Sequence, residues 1–110
     1  MRWIFHIVVA EQLSWGPDGR YAPPSLEAEG FVHASYKDRV EESAKLYFPA
    51  GATLVVLAID PRKLDVPLHV ADTPRGPMPH LHGAIPREAV TVLTLADVAS
   101  HADSVVHSQR

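Results

Sequence analysis

Alternating and continuous apolar runs, broken by proline and glycine, divide the chain into short elements. Residues 2–9 are apolar on both faces of an extended chain, with Ile4, His6 and Val8 on one side and Phe5, Ile7 and Val9 on the other, which predicts a central β-strand. Residues 53–60 (TLVVLAID) repeat this pattern with more β-branched side chains and predict a second buried strand, ended by Pro61. Between them Val40, Ala44, Tyr47 and Phe48 recur at helical spacing, so residues 37–48 read as a helix that Pro49 and Gly51 stop. Ser35, with Asp38 three residues on, has the form of a capping box at its start.

The remaining elements are shorter. A helical turn over 10–16 leads to the turn signal Pro17-Asp18-Gly19 and a proline-stiffened loop carrying Tyr21. Ser25 is placed to N-cap a helical turn that ends at Gly30, and a strand over 31–35 follows. In that strand Phe31, His33 and Ser35 share one face. Residues 66–70 form a weak strand that Pro67 pushes to an edge, and 72–79, with three prolines and a glycine, read as a long loop suited to the wall or lid of a pocket. A helical turn over 85–90 with Pro86 at its first position, a last strand over 91–95 and a short helix over 95–102 complete the order, and 103–110 are expected to fray.

A chain of 110 residues holds one core, here assigned to residues 1–95 with a C-terminal helix and tail over 96–110. Its 46% hydrophobic and 21% charged residues are those of an ordinary globular protein. With no cysteine there is no disulfide, thiolate nucleophile or cysteine-bound metal, which suits a reducing cytoplasm. The apolar N-terminus is only about half as long as a membrane span requires. The net charge of −3 and scattered arginines lack the footprint of a nucleic-acid binder, so the expected partner is a small molecule.

Seven histidines are the compositional oddity. His33 and Ser35 form either a ligand-facing pair, with an imidazole for acid–base work and a hydroxyl for ribose or phosphate, or a core histidine beside a helix cap. His80 and His82, two apart on an extended segment, would face one way as metal ligands do, although no carboxylate accompanies them at metal-site spacing. His6 is either a site residue or a buried strand histidine. Trp15 and Tyr21 either close over a planar ring or plug the core.

The segments F-H-I, then W followed by G-x-Y-x-P-x-S-L, E-G-F-V-H-A-S, L-x-I-D and P-H-L-H-G, in this order over about residues 3–95, resemble a small, mainly bacterial family known as domain of unknown function 952. That family is grouped with ADP-ribosyltransferase-like proteins, among them RNA 2′-phosphotransferases. The resemblance implies an α+β fold in which two small, mostly antiparallel sheets form a nicotinamide-dinucleotide cleft, with a few short helices. It matches His6 to a first-strand histidine that holds the nicotinamide ribose, and His80 to a P-H-x-Y-G motif. His82 stands where the family has Tyr, Met78 where it has Phe, Val8 where it has Thr and Ala71 where it has Glu. No glutamate matches the late-strand catalytic one.

The expectation is a cleft for NAD or an ADP-ribosyl compound. In it His6, His33 and His80 would be the catalytic candidates, and Trp15, Tyr21, Ser25, Gly30, Ser35 and His82 would contact the ligand. The alternatives are a non-catalytic binding module using the same cleft, or a histidine-ligated metal enzyme.

Overall fold

The computed structural model describes residues 1–105. Two three-stranded antiparallel sheets and a two-stranded ribbon are joined by short helices, giving an α+β domain. The first sheet has the order β1 (Ile4–Val9), β4 (Leu54–Ile59), β8 (Val90–Thr94). Its middle strand is therefore β4, and β1 lies at a border. The apolar pattern of residues 2–9 reports cover on both faces, and a strand can be covered on both faces without being paired along both edges. The period of two holds along both strands. Ile4, Val8, Leu57 and Ile59 enter one core with Tyr21, Val32, Leu81 and Ile85, while Phe5, Ile7, Val56 and Ala58 enter a second with Val40, Ala44 and Val98.

The second sheet has the order β3 (Val32–His33), β6 (Gly76–Leu81), β5 (Leu68–Thr73). The expected loop over 72–79 is thus a hairpin, turning at Pro74-Arg75 with Gly76 at φ 93. Pro77 and Pro79 fit a middle strand because they sit two apart, so both missing N–H groups fall on one side. The β5 ladder runs unbroken past them from Thr73↔Gly76 to Leu68↔Leu81, while β3 pairs only with His80 and Leu81. β5 is an edge strand, as Pro67 suggested.

The two sheets meet where Phe5 and Ser35 exchange backbone hydrogen bonds of 2.8 and 2.7 Å. This bridge keeps Ser35 out of the cap position. Tyr36 caps a 3-10 turn (Lys37–Arg39) without a side-chain bond, and α2 (Val40–Tyr47) follows. The ribbon pairs β2 (Arg20–Tyr21) with β7 (Ile85–Pro86), where a helical turn was expected; that turn starts only at Arg87. The turn expected over 10–16 is confined to Ala10–Gln12, and the C-terminal helix is a 3-10 segment, Ala96–Ser100.

α1 (Pro24–Glu29) starts two residues earlier than expected. Proline is suited to the first helical position, so Pro24 occupies it, Pro23 takes the cap and Ser25 becomes the second helical residue, its hydroxyl without a partner among the described residues. The chain start holds down residues thought to fray: Trp3 N–H bonds the Asp103 carbonyl and Val105 N–H bonds that of Met1, both at 2.8 Å. His107, assigned to the tail, lies outside the described residues. Among those described, no helix is long and apolar enough to cross a membrane.

Candidate functional site

A cleft of about 800 Å³ opens between β1, α2 and the β5–β6 hairpin. Its floor includes Phe5 and Ile7 of β1, and its walls take Tyr47 and Phe48 from the end of α2 and Met78 from the hairpin. Into this space come five residues singled out from the sequence: His6, His33, His80, Ser25 and Ser35. Trp15, Tyr21, Gly30 and His82 are not on its lining.

His6 is held at both ring nitrogens. Nδ1 lies 2.6 Å from the backbone carbonyl of His33, which can only accept, so Nδ1 carries the proton. Nε2 is then the acceptor for the Tyr21 hydroxyl at 2.9 Å. Burial pulls the His6 pKa down, favouring this neutral form, and pushes the Tyr21 phenol up to about 12. With Nδ1 and Nε2 both engaged, His6 orients neighbouring backbone and has no nitrogen left to move a substrate proton. Tyr21 is therefore a buried anchor for His6, packed edge-on to Trp15, with ring centroids 6.3 Å apart.

His33 and His80 stand opposite one another across the β3–β6 ladder. Phe31 stacks on His80 at 4.0 Å with the planes 16° apart; His33 and His69 lie beside His80, and His82 beside Phe31 and His69. Burial first, then the like-charge neighbours His33, His69 and His82, lower the His80 pKa. His33 Nε2 bonds the Glu29 carboxylate at 3.0 Å, a contact made possible by Gly30, whose φ of 86 ends α1 and reverses the chain. Gly30 acts through this turn and not by touching the cleft. Among the described residues no three histidine or acidic side chains converge tightly enough to hold a metal ion.

The hydroxyl of Ser35, instead of capping a helix, bonds Ser43 Oγ on α2 at 3.2 Å. Ser43 in turn accepts from Arg75, at the hairpin turn, at 2.9 Å. Arg75 also grips Glu42, and it is the one cation on the cleft lining, which among the described residues contains no carboxylate. Ser43 and Arg75 are not singled out by the sequence, and Tyr47 reads only as a position on the helix over 37–48, although 72–79 is expected at the wall of a pocket. The dipeptide turn Pro74-Arg75 followed by glycine, between extended runs, was the signal available.

This geometry defines a class: a small two-sheet α+β domain with a ligand-sized cleft between its sheets. The chain belongs to the family described as "Protein of unknown function (DUF952)", whose model matches residues 7–93. Among solved structures it is similar to protein CC0527 from Caulobacter crescentus, with 28% identity, 81% of each chain covered and a TM-score of 0.68. A double mutant of CC0527 gives 26% identity with the same coverage and TM-score. No curated protein matches the chain.

Proposed function

We propose that the cleft binds a nucleotide-type small molecule, NAD or an ADP-ribosyl compound, and that the domain acts as a binding module. The observation that carries this is the convergence of His6, His33, His80, Ser25 and Ser35 on one space of about 800 Å³ whose lining, among the described residues, includes Arg75 and no carboxylate. That volume is within the range of sites for cofactor-sized ligands. Its apolar walls suit ring planes, its hydroxyls suit ribose, and Arg75 suits phosphate. The resemblance to ADP-ribosyltransferase-like proteins supports the same ligand.

Binding is favoured over transfer. Cleavage of a nicotinamide–ribose bond develops positive charge on the sugar, which a carboxylate would stabilise and an arginine would oppose. The lining offers the arginine, and His6 has both nitrogens engaged.

Thermal unfolding with NAD and ADP-ribose, followed by a nicotinamide-release assay, tests the reading. At about 100 times Kd the ligand should stabilise the fold by about 2.7 kcal/mol, a clear rise in Tm, with no release above the blank. No shift with either compound at millimolar concentration refutes the ligand assignment. Stabilisation accompanied by release would replace the module with a transferase.

A further inference from the structure

Arg75 sits in the two-residue turn of the β5–β6 hairpin and reaches across the cleft mouth to α2. Its side chain is four-fifths buried, with 20% exposure. It donates to Glu42 Oε1 from Nε at 3.0 Å and from Nη2 at 2.7 Å, to Ser43 Oγ from Nη2 at 2.9 Å, and to the Tyr47 hydroxyl from Nη1 at 3.4 Å. A guanidinium has five N–H groups. Four are used, so one Nη1 hydrogen has no acceptor among the described residues.

A second surplus follows from the serines. Ser43 Oγ accepts from Arg75 and shares one hydrogen bond with Ser35 Oγ. Two hydroxyls own two hydrogens, and the bond between them uses one. Whichever serine donates, the hydrogen of the other has no partner among the described residues. Both serines are buried and both line the cleft, so this spare donor belongs to its polar end.

Charge gives a third, independent imbalance. Arg39 Nη1 lies 3.9 Å from the same Glu42 oxygen that Arg75 grips, so two guanidiniums face one carboxylate. The corner where α2 meets the hairpin is left with one uncompensated positive charge and two unused donors. Acceptor oxygens bearing negative charge satisfy all three at once.

We infer that Arg75, Ser43 and Ser35 form an anion subsite that takes phosphoryl oxygens, and that Glu42 is an internal competitor for the same guanidinium. The phosphoryl group follows from the local donors alone; that a nucleotide carries it rests on the proposed function. Because Glu42 occupies two of the five N–H groups, an incoming phosphate must share or displace it. The resident carboxylate therefore sets the affinity of the subsite. It also lets the ligand loosen the link between hairpin and α2 as it binds.

Isothermal titration of the full chain with sodium pyrophosphate, ADP-ribose and adenosine tests this, using Arg75→Gln, Ser35→Ala and Glu42→Gln, each checked for folding by circular dichroism. Pyrophosphate and ADP-ribose should bind the wild type. Arg75→Gln should weaken both by about tenfold or more, the effect of losing a charged hydrogen-bond donor. Ser35→Ala should weaken both several-fold, and Glu42→Gln should tighten both. Adenosine, which has no phosphate, should be indifferent to Glu42→Gln.

Wild type that does not bind pyrophosphate overturns the subsite, as does pyrophosphate affinity unchanged in Arg75→Gln or weakened in Glu42→Gln. If Arg75→Gln fails to fold, Glu42→Gln and Ser35→Ala decide the matter alone. Pyrophosphate bound in this Arg75-dependent way without any binding of ADP-ribose upholds the subsite and refutes the nucleotide. ADP-ribose bound equally by every variant upholds the nucleotide and refutes the subsite.

Discussion

Replacing Tyr21 with Phe removes one oxygen from the core and isolates one nitrogen. In the wild type the Tyr21 hydroxyl donates to His6 Nε2 at 2.9 Å, while Nδ1–H is committed to the His33 carbonyl at 2.6 Å. The phenyl ring of the variant keeps its apolar packing, so no large cavity opens. What is lost is a hydrogen bond worth about 1 kcal/mol, together with the cost of leaving a buried imidazole acceptor unpaired, about 1–3 kcal/mol. Tyr21 is only 3% exposed, so water has little access to the vacated oxygen position. The expected destabilisation is about 2–4 kcal/mol, measured by urea unfolding with the slope unchanged. For a slope of about 2 kcal/mol/M this lowers the midpoint by about 1–2 M. Nitrogen NMR of the imidazoles supplies the second reading, because His6 should be the Nδ1–H tautomer in both proteins. A loss under about 0.5 kcal/mol, or an Nε2–H tautomer in the wild type, would refute the proton assignment and with it the view that His6 is fully engaged.

Burial lowers the pKa of His6, and burial with three neighbouring imidazoles lowers that of His80. The unfolded chain therefore takes up protons first on acidification. Stability contributed by the neutral rings should be complete above about pH 6.5 and fall as the pH drops toward the folded pKa values, by at most about 1.4 kcal/mol per pH unit for each group; stability that increases between pH 7 and 5.5 in urea titrations would contradict this. Asp60 accepts three hydrogen bonds from Arg62, chiefly from its guanidinium, which holds the carboxyl below its usual pKa. Its contribution is present above about pH 3.9 and lost as pH falls through the lowered folded value. Asp60 also caps the 3-10 turn Pro61–Lys63 by accepting from the Arg62 N–H, so Asp60→Ala should cost about 1 kcal/mol through that lost cap alone, read at pH 7 by denaturant unfolding. Gly30→Ala should cost about 1–2 kcal/mol for its left-handed backbone, and proton NMR should show a weakened His33–Glu29 contact. An unchanged midpoint in that variant would mean that α1 can end by another route.

Local pattern was enough for much of the framework. The apolar runs around Ile4 and Leu54 become paired strands with the alternation read from them, because a pleated strand turns successive side chains to opposite faces whatever its neighbours. Gly30 and Pro67 likewise acted through their own backbone, one ending a helix with positive φ and the other preceding an edge strand. The histidines of β1, β3 and β6 could be proposed as neighbours from the motifs, and three of them do line one cleft.

Other features depended on pairing between distant segments. Proline density over 72–79 indicates a loop by local rules, yet the missing donors of Pro77 and Pro79 fall on the side away from the β5 ladder, so a hairpin forms. Ser35 looked like a cap, but its backbone is taken by Phe5 thirty residues earlier and its hydroxyl by Ser43. The same reversal applies to Tyr21, which became the partner of His6 once the ribbon packed against β1. Backbone periodicity and turn chemistry are properties of neighbouring residues, and so the chain by itself determined the strands around Ile4 and Leu54 and the turn at Gly30. Which hydroxyl meets which imidazole, and which arginine closes over which serine, follows from sheet order and register, and those exist only once the cores have packed.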